Sequence, residues 1–284
     1  MAKNSLKQRI FALNCRGRLL VIDKPVVMGI MNITPDSFYG GSRFKDMSTV
    51  LKAFEKMLKD GAGIVDIGGQ STRPGSVKIT VEEELSRVIP VIESLSRQFP
   101  TQIISIDTFY SRVAMEGVAA GASVVNDVSF GSQDKEMLPV VATLCVPYVC
   151  MHTQGTPDIM QQKPHYDNVT REVLDFFIEK INICHLAGIK DVIIDPGFGF
   201  GKTIKHNLEL LKNLSIFKML DKPILLGISR KSTIYKTLNT TPDQALNGTT
   251  VLNTIGLLNG ANILRVHDVK EAREAIQLVE AYND

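Results

Sequence analysis

Residues 103–128, IISIDTFY-SRVAMEGVAA-GASVVNDV, carry the pattern that decides the fold. Ile103-Ile104-Ser105-Ile106-Asp107 and Val124-Val125-Asn126-Asp127-Val128 are short runs, mostly apolar on both alternating positions. Such runs read as strands buried on both faces. The ten residues Ser111–Ala120 between them read as a helix that stops before Gly121. Strand, crossover helix and strand imply a parallel pair with a right-handed connection.

Outward from this unit, strand-like runs recur at 26–33, 64–68, 147–151, 192–195, 224–228 and 263–266, eight in all. Helical stretches lie between them at 48–60, 80–99, 167–187, 207–214, 242–259 and 270–281. In 48–60, Val50, Leu51, Phe54, Met57 and Leu58 share one face. Thr80 and Glu83 have capping-box spacing. Eight units in 284 residues predict a closed (β/α)8 TIM barrel, with an open doubly wound sheet as the rival. Residues 9–23 alternate around Cys15-Arg16-Gly17-Arg18 and predict a short N-terminal β-hairpin capping the barrel's bottom. No linker, repeat or composition break divides the chain, so 1–284 reads as one domain.

Lys plus Arg number 32 and Asp plus Glu 30, a balance with no general pull toward nucleic acid or membrane. No apolar run is long enough to span a bilayer, and the polar, basic start lacks a signal peptide's apolar core. Cys15, Cys145, Cys150 and Cys184 form no C-x-x-C pair and read as small buried residues of a reducing, cytoplasmic protein.

In a parallel barrel the chemistry sits at the carboxyl ends of the strands. The eight runs deliver there Asn32, Asp66, Asp107-Thr108, Asn126-Asp127, Met151-His152, Asp195, Ser229-Arg230-Lys231-Ser232 and Arg265-Val266-His267-Asp268. A turn or strand cap explains any one of these. Eight polar strand ends on one side of a ring point to a site. Arg73, Lys231, Arg265 and His267 form a cationic set suited to an anion near the usual phosphate corner. Asp107, Asn126 and Asp195 suit a flat heterocycle with several N–H groups, while the two carboxylates also suit Mg2+. Gly197, Gly199 and Gly201 flank Phe198 and Phe200 and allow backbone to approach a ligand. The spacing does not make a dinucleotide fingerprint, and neither a phosphate-binding P-loop nor a G-x-S-x-G elbow occurs.

Four segments together resemble one family. They are Met31-Asn32-Ile33-Thr34-Pro35-Asp36-Ser37-Phe38, Asp66-Ile67-Gly68-Gly69-Gln70-Ser71-Thr72-Arg73-Pro74-Gly75, Asp195-Pro196-Gly197-Phe198-Gly199-Phe200-Gly201-Lys202 and Ser229-Arg230-Lys231-Ser232. In order and in content they resemble the dihydropteroate synthases, a family of pterin-binding barrels, over nearly all of 26–284. The resemblance implies a homodimeric (β/α)8 transferase of folate biosynthesis. It would join dihydropterin pyrophosphate to p-aminobenzoate with Mg2+, releasing pyrophosphate, and be a target of sulfonamides, which mimic p-aminobenzoate. It assigns Asp107, Asn126, Asp195 and Lys231 to the pterin, and Asn32, Arg73, Arg265 and His267 to pyrophosphate, with Asn32 also the metal ligand. Thr72, Arg73, Pro74, Phe200 and Ser232 fall to p-aminobenzoate, Met151 joins the substrate-binding set, and Asp107, Lys231, Arg265 and His267 are the catalytic candidates. Two departures stand out. Gln70 replaces the family's usual Glu, a tolerable exchange, and Phe38 is followed by Tyr39-Gly40-Gly41 where the family has a loop carboxylate for the metal. Asp36 or substrate oxygens would take that carboxylate's place.

The reading implies dissociative C–O cleavage before amine attack, with loops 36–44 and 71–78 closing over the site. Arg73 would be drawn in by pyrophosphate and complete the arene pocket, coupling the two ligands. Two rival classes exist. Folate-dependent methyl-transferring barrels should lack the Ser-Thr-Arg-Pro loop and the Ser-Arg-Lys-Ser strand end, both present here. A non-catalytic pterin-binding paralogue draws support only from the missing loop carboxylate.

Overall fold

The computed structural model describes residues 9–33, 43–70, 78–155 and 164–283. It begins with the hairpin: β1 (Phe11–Cys15) and β2 (Arg18–Ile22) pair antiparallel, with Cys15 opposite Arg18. The turn residues Arg16 and Gly17 have φ of +56° and +80°. Two consecutive left-handed residues make the turn whose twist matches a hairpin.

The alternating elements follow: β3 (Val26–Asn32), α1 (Arg43–Lys59), β4 (Ile64–Gly68), α2 (Val81–Gln98), β5 (Ile103–Asp107), α3 (Ser111–Ala120), β6 (Val124–Asp127), α4 (Met137–Leu144) and β7 (Tyr148–Met151). Then come α5 (Val169–Ala187), β8 (Val192–Asp195), α6 (Ile204–Lys212), β9 (Leu225–Leu226), α7 (Ser232–Thr237), α8 (Leu246–Leu258), β10 (Ile263–Val266) and α9 (Val269–Asn283). The parallel sheet runs in the order β8-β7-β6-β5-β4-β3-β10-β9. A bridge between Ile194 and Ile224, beside β9, joins its two edges and closes the ring.

Each barrel strand sends one apolar residue into the lower interior: Met28, Ile64, Ile103, Val124, Val149, Ile193, Leu225 and Ile263. Leu13, Cys15 and Ile22 of the hairpin pack against this layer and plug the amino-terminal end. The opposite parity, with Val65, Ile67, Ile104, Ile106, Val125 and Ile194, meets the helices in a second core. Side chains alternate with period two. Two residues beyond the apolar layer, the same inward parity therefore falls on Ile30, Asp66, Ser105, Asn126, Met151, Asp195, Gly227 and Arg265. The interior changes from apolar to polar in one step, and the polar step is the candidate site.

The expected helices are present, with shifted ends. Residues 242–259 begin as a 3₁₀ turn, Pro242–Gln244, before α8. The short helices α4 and α7 and the 3₁₀ segment Leu214–Leu220 are additions; α4 and α7 span only two turns and carry no side-chain cap bond, so periodicity could not reveal them. Thr80 caps α2 by accepting from the Glu83 N–H at 3.2 Å, yet the Glu83 carboxylate pairs with Arg87 and the box is not closed. A closed box occurs at Thr203 and His206 on α6. Three cysteines are buried as expected, whereas Cys145 is exposed at the left-handed end of α4. None of the described helices is long and apolar enough to cross a membrane.

The hairpin plug is testable. Ile22 is 1% exposed, and Ile22→Ala should lower stability by about 3 kcal/mol through lost burial and the cavity left behind. Urea unfolding would read this as a lower midpoint at constant slope. An unchanged midpoint would mean that the hairpin does not hold the bottom layer.

Candidate active site

The polar step is organised by Asp66, whose side chain is fully buried. One of its oxygens, Oδ2, accepts from Asn126 Nδ2 at 2.9 Å and from Arg265 Nε at 2.7 Å. The same guanidinium reaches on through Nη2 to Asp107 Oδ2 at 2.5 Å. One charged chain thus ties β4, β5, β6 and β10 together. The second oxygen of each acid, Asp66 Oδ1 and Asp107 Oδ1, is buried and finds no hydrogen-bond partner among the described residues. Burial pushes the Asp107 carboxyl up, with Asp66 and Asp127 adding to it and Arg265 opposing. Against its own burial, the Arg265 guanidinium is held above its usual value by Asp66 and Asp107.

Across the ring, Asp195 ends β8 and accepts from the Gly197 N–H at 2.8 Å. Burial pushes its carboxyl up, against Lys231. Lys231 leaves the end of β9, donates to the Phe198 carbonyl at 2.6 Å and lies 4.6 Å over the Phe200 ring. Burial pulls its ammonium down to about 8, although Asp195 favours the charge. A Cβ at position 227 would lie 3.6 Å from Asp195 Oδ2 and 3.8 Å from Lys231 Nζ, in ordinary contact, so Gly227 leaves that space between them open. Met151 pairs in register with Asp195 and is buried.

The other predicted residues lie around this centre. Asn32 closes β3, half-buried and in register with Gly68. Ser232 opens α7. His267 is exposed beyond β10, and its Nδ1 lies 3.2 Å from Ser229 Oγ. Thr72, Arg73, Pro74 and Asp36 lie outside the described residues. Gln70 accepts from the Ile79 N–H at 3.1 Å, a bond that a Glu carboxylate could equally accept, which is why the exchange is tolerable. The charges do not divide into a cationic sector and an acidic one. Arg265 lies among the acids because inward parity on β10 turns it there, and Lys231, at the start of α7, reaches in from the loop after β9.

Asp66 is the residue that sequence reasoning passed over as a site member. Its signal was present: Ile64 and Asp66 share inward parity, so Asp66 had to lie inside the barrel. An acid placed there needs donors, and these are Asn126 and Arg265.

Among the described residues, no three His, Cys, Asp or Glu side chains group to hold a metal. One oxygen of Asp107 accepts from Arg265, and one of Asp195 from the Gly197 N–H. The Asn32 amide oxygen is a hard donor of the kind Mg2+ accepts. Mg2+ keeps several waters and commonly binds through one or two carboxylates plus substrate phosphates. Here the amide oxygen of Asn32 would supply the protein's share, with pyrophosphate oxygens and water supplying the rest.

Comparison with known proteins agrees with this geometry. Residues 28–267 match the family described as pterin binding enzyme. The dihydropteroate synthase of Escherichia coli strain K12 is 44% identical over 268 residues, covering 94% of each chain. The crystal structure of Yersinia pestis dihydropteroate synthase with a sulfonamide drug complex superposes with a TM-score of 0.90 at 41% identity, covering 96% of this chain and 99% of that one. The Xanthomonas albilineans dihydropteroate synthase with 4-aminobenzoic acid gives 0.89 at 41% identity, covering 96% and 98%. The chain therefore belongs to the pterin-binding enzyme family, among the dihydropteroate synthases.

Proposed function

We propose that the chain condenses dihydropterin pyrophosphate with p-aminobenzoate to give dihydropteroate and pyrophosphate, the pterin-joining step of folate synthesis. One observation carries the reading. The polar layer holds two buried carboxylate oxygens, Asp66 Oδ1 and Asp107 Oδ1, with no donor among the described residues, beside the amide of Asn126 and the ammonium of Lys231. A ring bearing several N–H groups and ring acceptors supplies the missing partners.

In this reading Asp107, Asn126, Asp195 and Lys231 orient the pterin, with Met151 below it. The carboxylates of Asp107 and Asp195 offset the positive charge that develops on the pterin methylene as the C–O bond breaks. Arg265 and His267 face the departing pyrophosphate, with Arg73 from the second loop. Asn32 would hold Mg2+, which when bound supplies positive charge to the pyrophosphate oxygens. Phe200 and Ser232, with Thr72 and Pro74, hold p-aminobenzoate, and sulfonamides occupy the same pocket. The amine of p-aminobenzoate is neutral near pH 7 and attacks without a strong base, so no covalent enzyme intermediate is needed.

The same reading makes the chain a homodimer. Val251, Ile255 and Leu258 follow helical spacing on α8 and are 49%, 38% and 51% exposed. Leu278 and Tyr282 add to them from α9, which packs beside α8. An apolar face of this kind favours a protein partner over water. A reducing, cytoplasmic setting agrees with the free thiols of Cys15, Cys150 and Cys184.

Turnover of both substrates with Mg2+ tests the reading directly, and a chain that binds pterin without forming dihydropteroate would be the non-catalytic paralogue. Asp195→Asn should weaken pterin binding by at least ~1.5 kcal/mol, since a charge-assisted contact becomes mismatched. Calorimetry showing unchanged affinity would remove Asp195 from the site. Asp66→Asn removes the charge that holds Arg265 and sets an amide N–H2 against donors. It should reduce kcat/KM for the pterin substrate at least about tenfold, or ~1.4 kcal/mol; an unchanged value would reduce Asp66 to packing. Lys231 is a charged donor below about pH 8 and neutral above it. The same kcat/KM should therefore fall as pH rises through about 8, and Lys231→Arg should move that limb to higher pH. A limb unmoved in Lys231→Arg belongs to another group.

A further inference from the structure

We propose that Lys202, which contacts no substrate in the mechanism above, is a positioning residue that fixes the aromatic wall of the p-aminobenzoate pocket; the proposal rests on the reading of Phe200 as that wall. Lys202 closes the glycine-rich segment that follows β8, and only 3% of it is exposed. Its side chain folds back beneath its own loop. Nζ donates to the Gly197 carbonyl at 3.0 Å and to the Phe200 carbonyl at 3.1 Å, and lies 2.8 Å from His152 Nδ1. The charged amine has three N–H bonds for these acceptors and for a fourth, the His152 carbonyl at 3.4 Å; burial pulls its ammonium down to about 7, although Asp195 favours the charge. The arrangement is complete when His152 is neutral with its ring proton on Nε2. Burial, and the charge of Lys202 beside it, hold His152 well below the usual range.

The loop is irregular, and its other ties run from the Gly199 N–H to Asn207 Oδ1 at 2.9 Å, from the Phe200 N–H to the Gly197 carbonyl at 3.1 Å and from the Tyr166 hydroxyl to the Gly201 carbonyl at 2.9 Å. Gly197, Gly199 and Gly201 have φ of +69°, +85° and +62°, a run of reversals that makes no helix or strand. The backbone lies directly on the chain leaving β7: a side chain at Gly197 would collide with the His152 carbonyl, and one at Gly201 with the Gln154 carbonyl. This approach turns carbonyls inward, where they need donors. Three side chains provide them: the Tyr166 hydroxyl donates to the Gly201 carbonyl, and two lysines take three more. Lys231 takes the Phe198 carbonyl, and Lys202 takes those of Gly197 and Phe200. In the proposed reading Lys231 also serves the pterin, so its donors are shared between ligand and loop. Lys202 faces no ligand and holds the Phe200 backbone throughout, keeping the ring beside Lys231.

Steady-state kinetics with both substrates separates the possibilities. Lys202→Met keeps the stem and deletes the donors. KM for p-aminobenzoate should rise at least about tenfold, while KM for dihydropterin pyrophosphate stays within about threefold. In a Phe200→Ala background the same substitution should add less than about threefold, because the two residues act through one structure. Lys202→Gln, which retains two N–H donors, should fall between wild type and Lys202→Met, and it serves if the methionine variant does not fold. The proposal is overturned if p-aminobenzoate KM is unchanged in both variants, if both KM values rise together, or if the effects of Lys202→Met and Phe200→Ala multiply. If Phe200→Ala alone leaves p-aminobenzoate KM unchanged, the reading of the arene pocket fails first, and the proposal falls with it.

Discussion

A guanidinium buried between two carboxylates sets the terms for the rest of the site. Arg265 touches Asp66 and Asp107 at once, and Asp66 also holds Asn126. Charges taken out of water are costly, and a buried ion pair is often no more stabilising than a packed apolar group. The chain Asn126–Asp66–Arg265–Asp107 is therefore better understood as a fixture than as glue. It spans four strands and holds donors and acceptors at set angles before any ligand arrives. Preorganised groups of this kind act on developing charge without rearranging at the moment of reaction.

The fixture depends on the apolar layer beneath it. Eight strands contribute eight side chains to that layer, and the hairpin seals its open end. A dry floor lowers the local dielectric, which strengthens every interaction among the charges above. It also accounts for the direction in which burial moves Asp107, Asp195 and Lys231. The bottom of the barrel and the chemistry at its top are thus one design, joined by the two-residue pleat.

Much of this was legible in the sequence. The eight Val- and Ile-rich runs, the glycine stops and the Arg16-Gly17 turn named the barrel and its hairpin, because buried parallel strands and left-handed turns leave strong local marks. The polar strand ends named Asp107, Asn126, Asp195, Lys231 and Arg265 for a similar reason: position in a parallel sheet fixes which end carries function. The helices α4 and α7 left no such mark. Each is too short for periodicity to show, and their stability comes from packing rather than from caps.

The sequence by itself determined the alternation of elements, the end of the barrel at which polar groups gather, and the family to which they belong. Which of those groups touch was decided only by the tertiary structure. Asp66 and Arg265 are separated by 199 residues, and Lys202 and His152 by 50. Closing the ring brings β10 beside β3 and sets Arg265 against Asp66; packing one strand-end loop on the next brings Lys202 against His152. Local patterns specify which face a side chain takes, because the pleat has period two. They say nothing about the partner it meets there, because that depends on how the remote strands are staggered when the sheet closes.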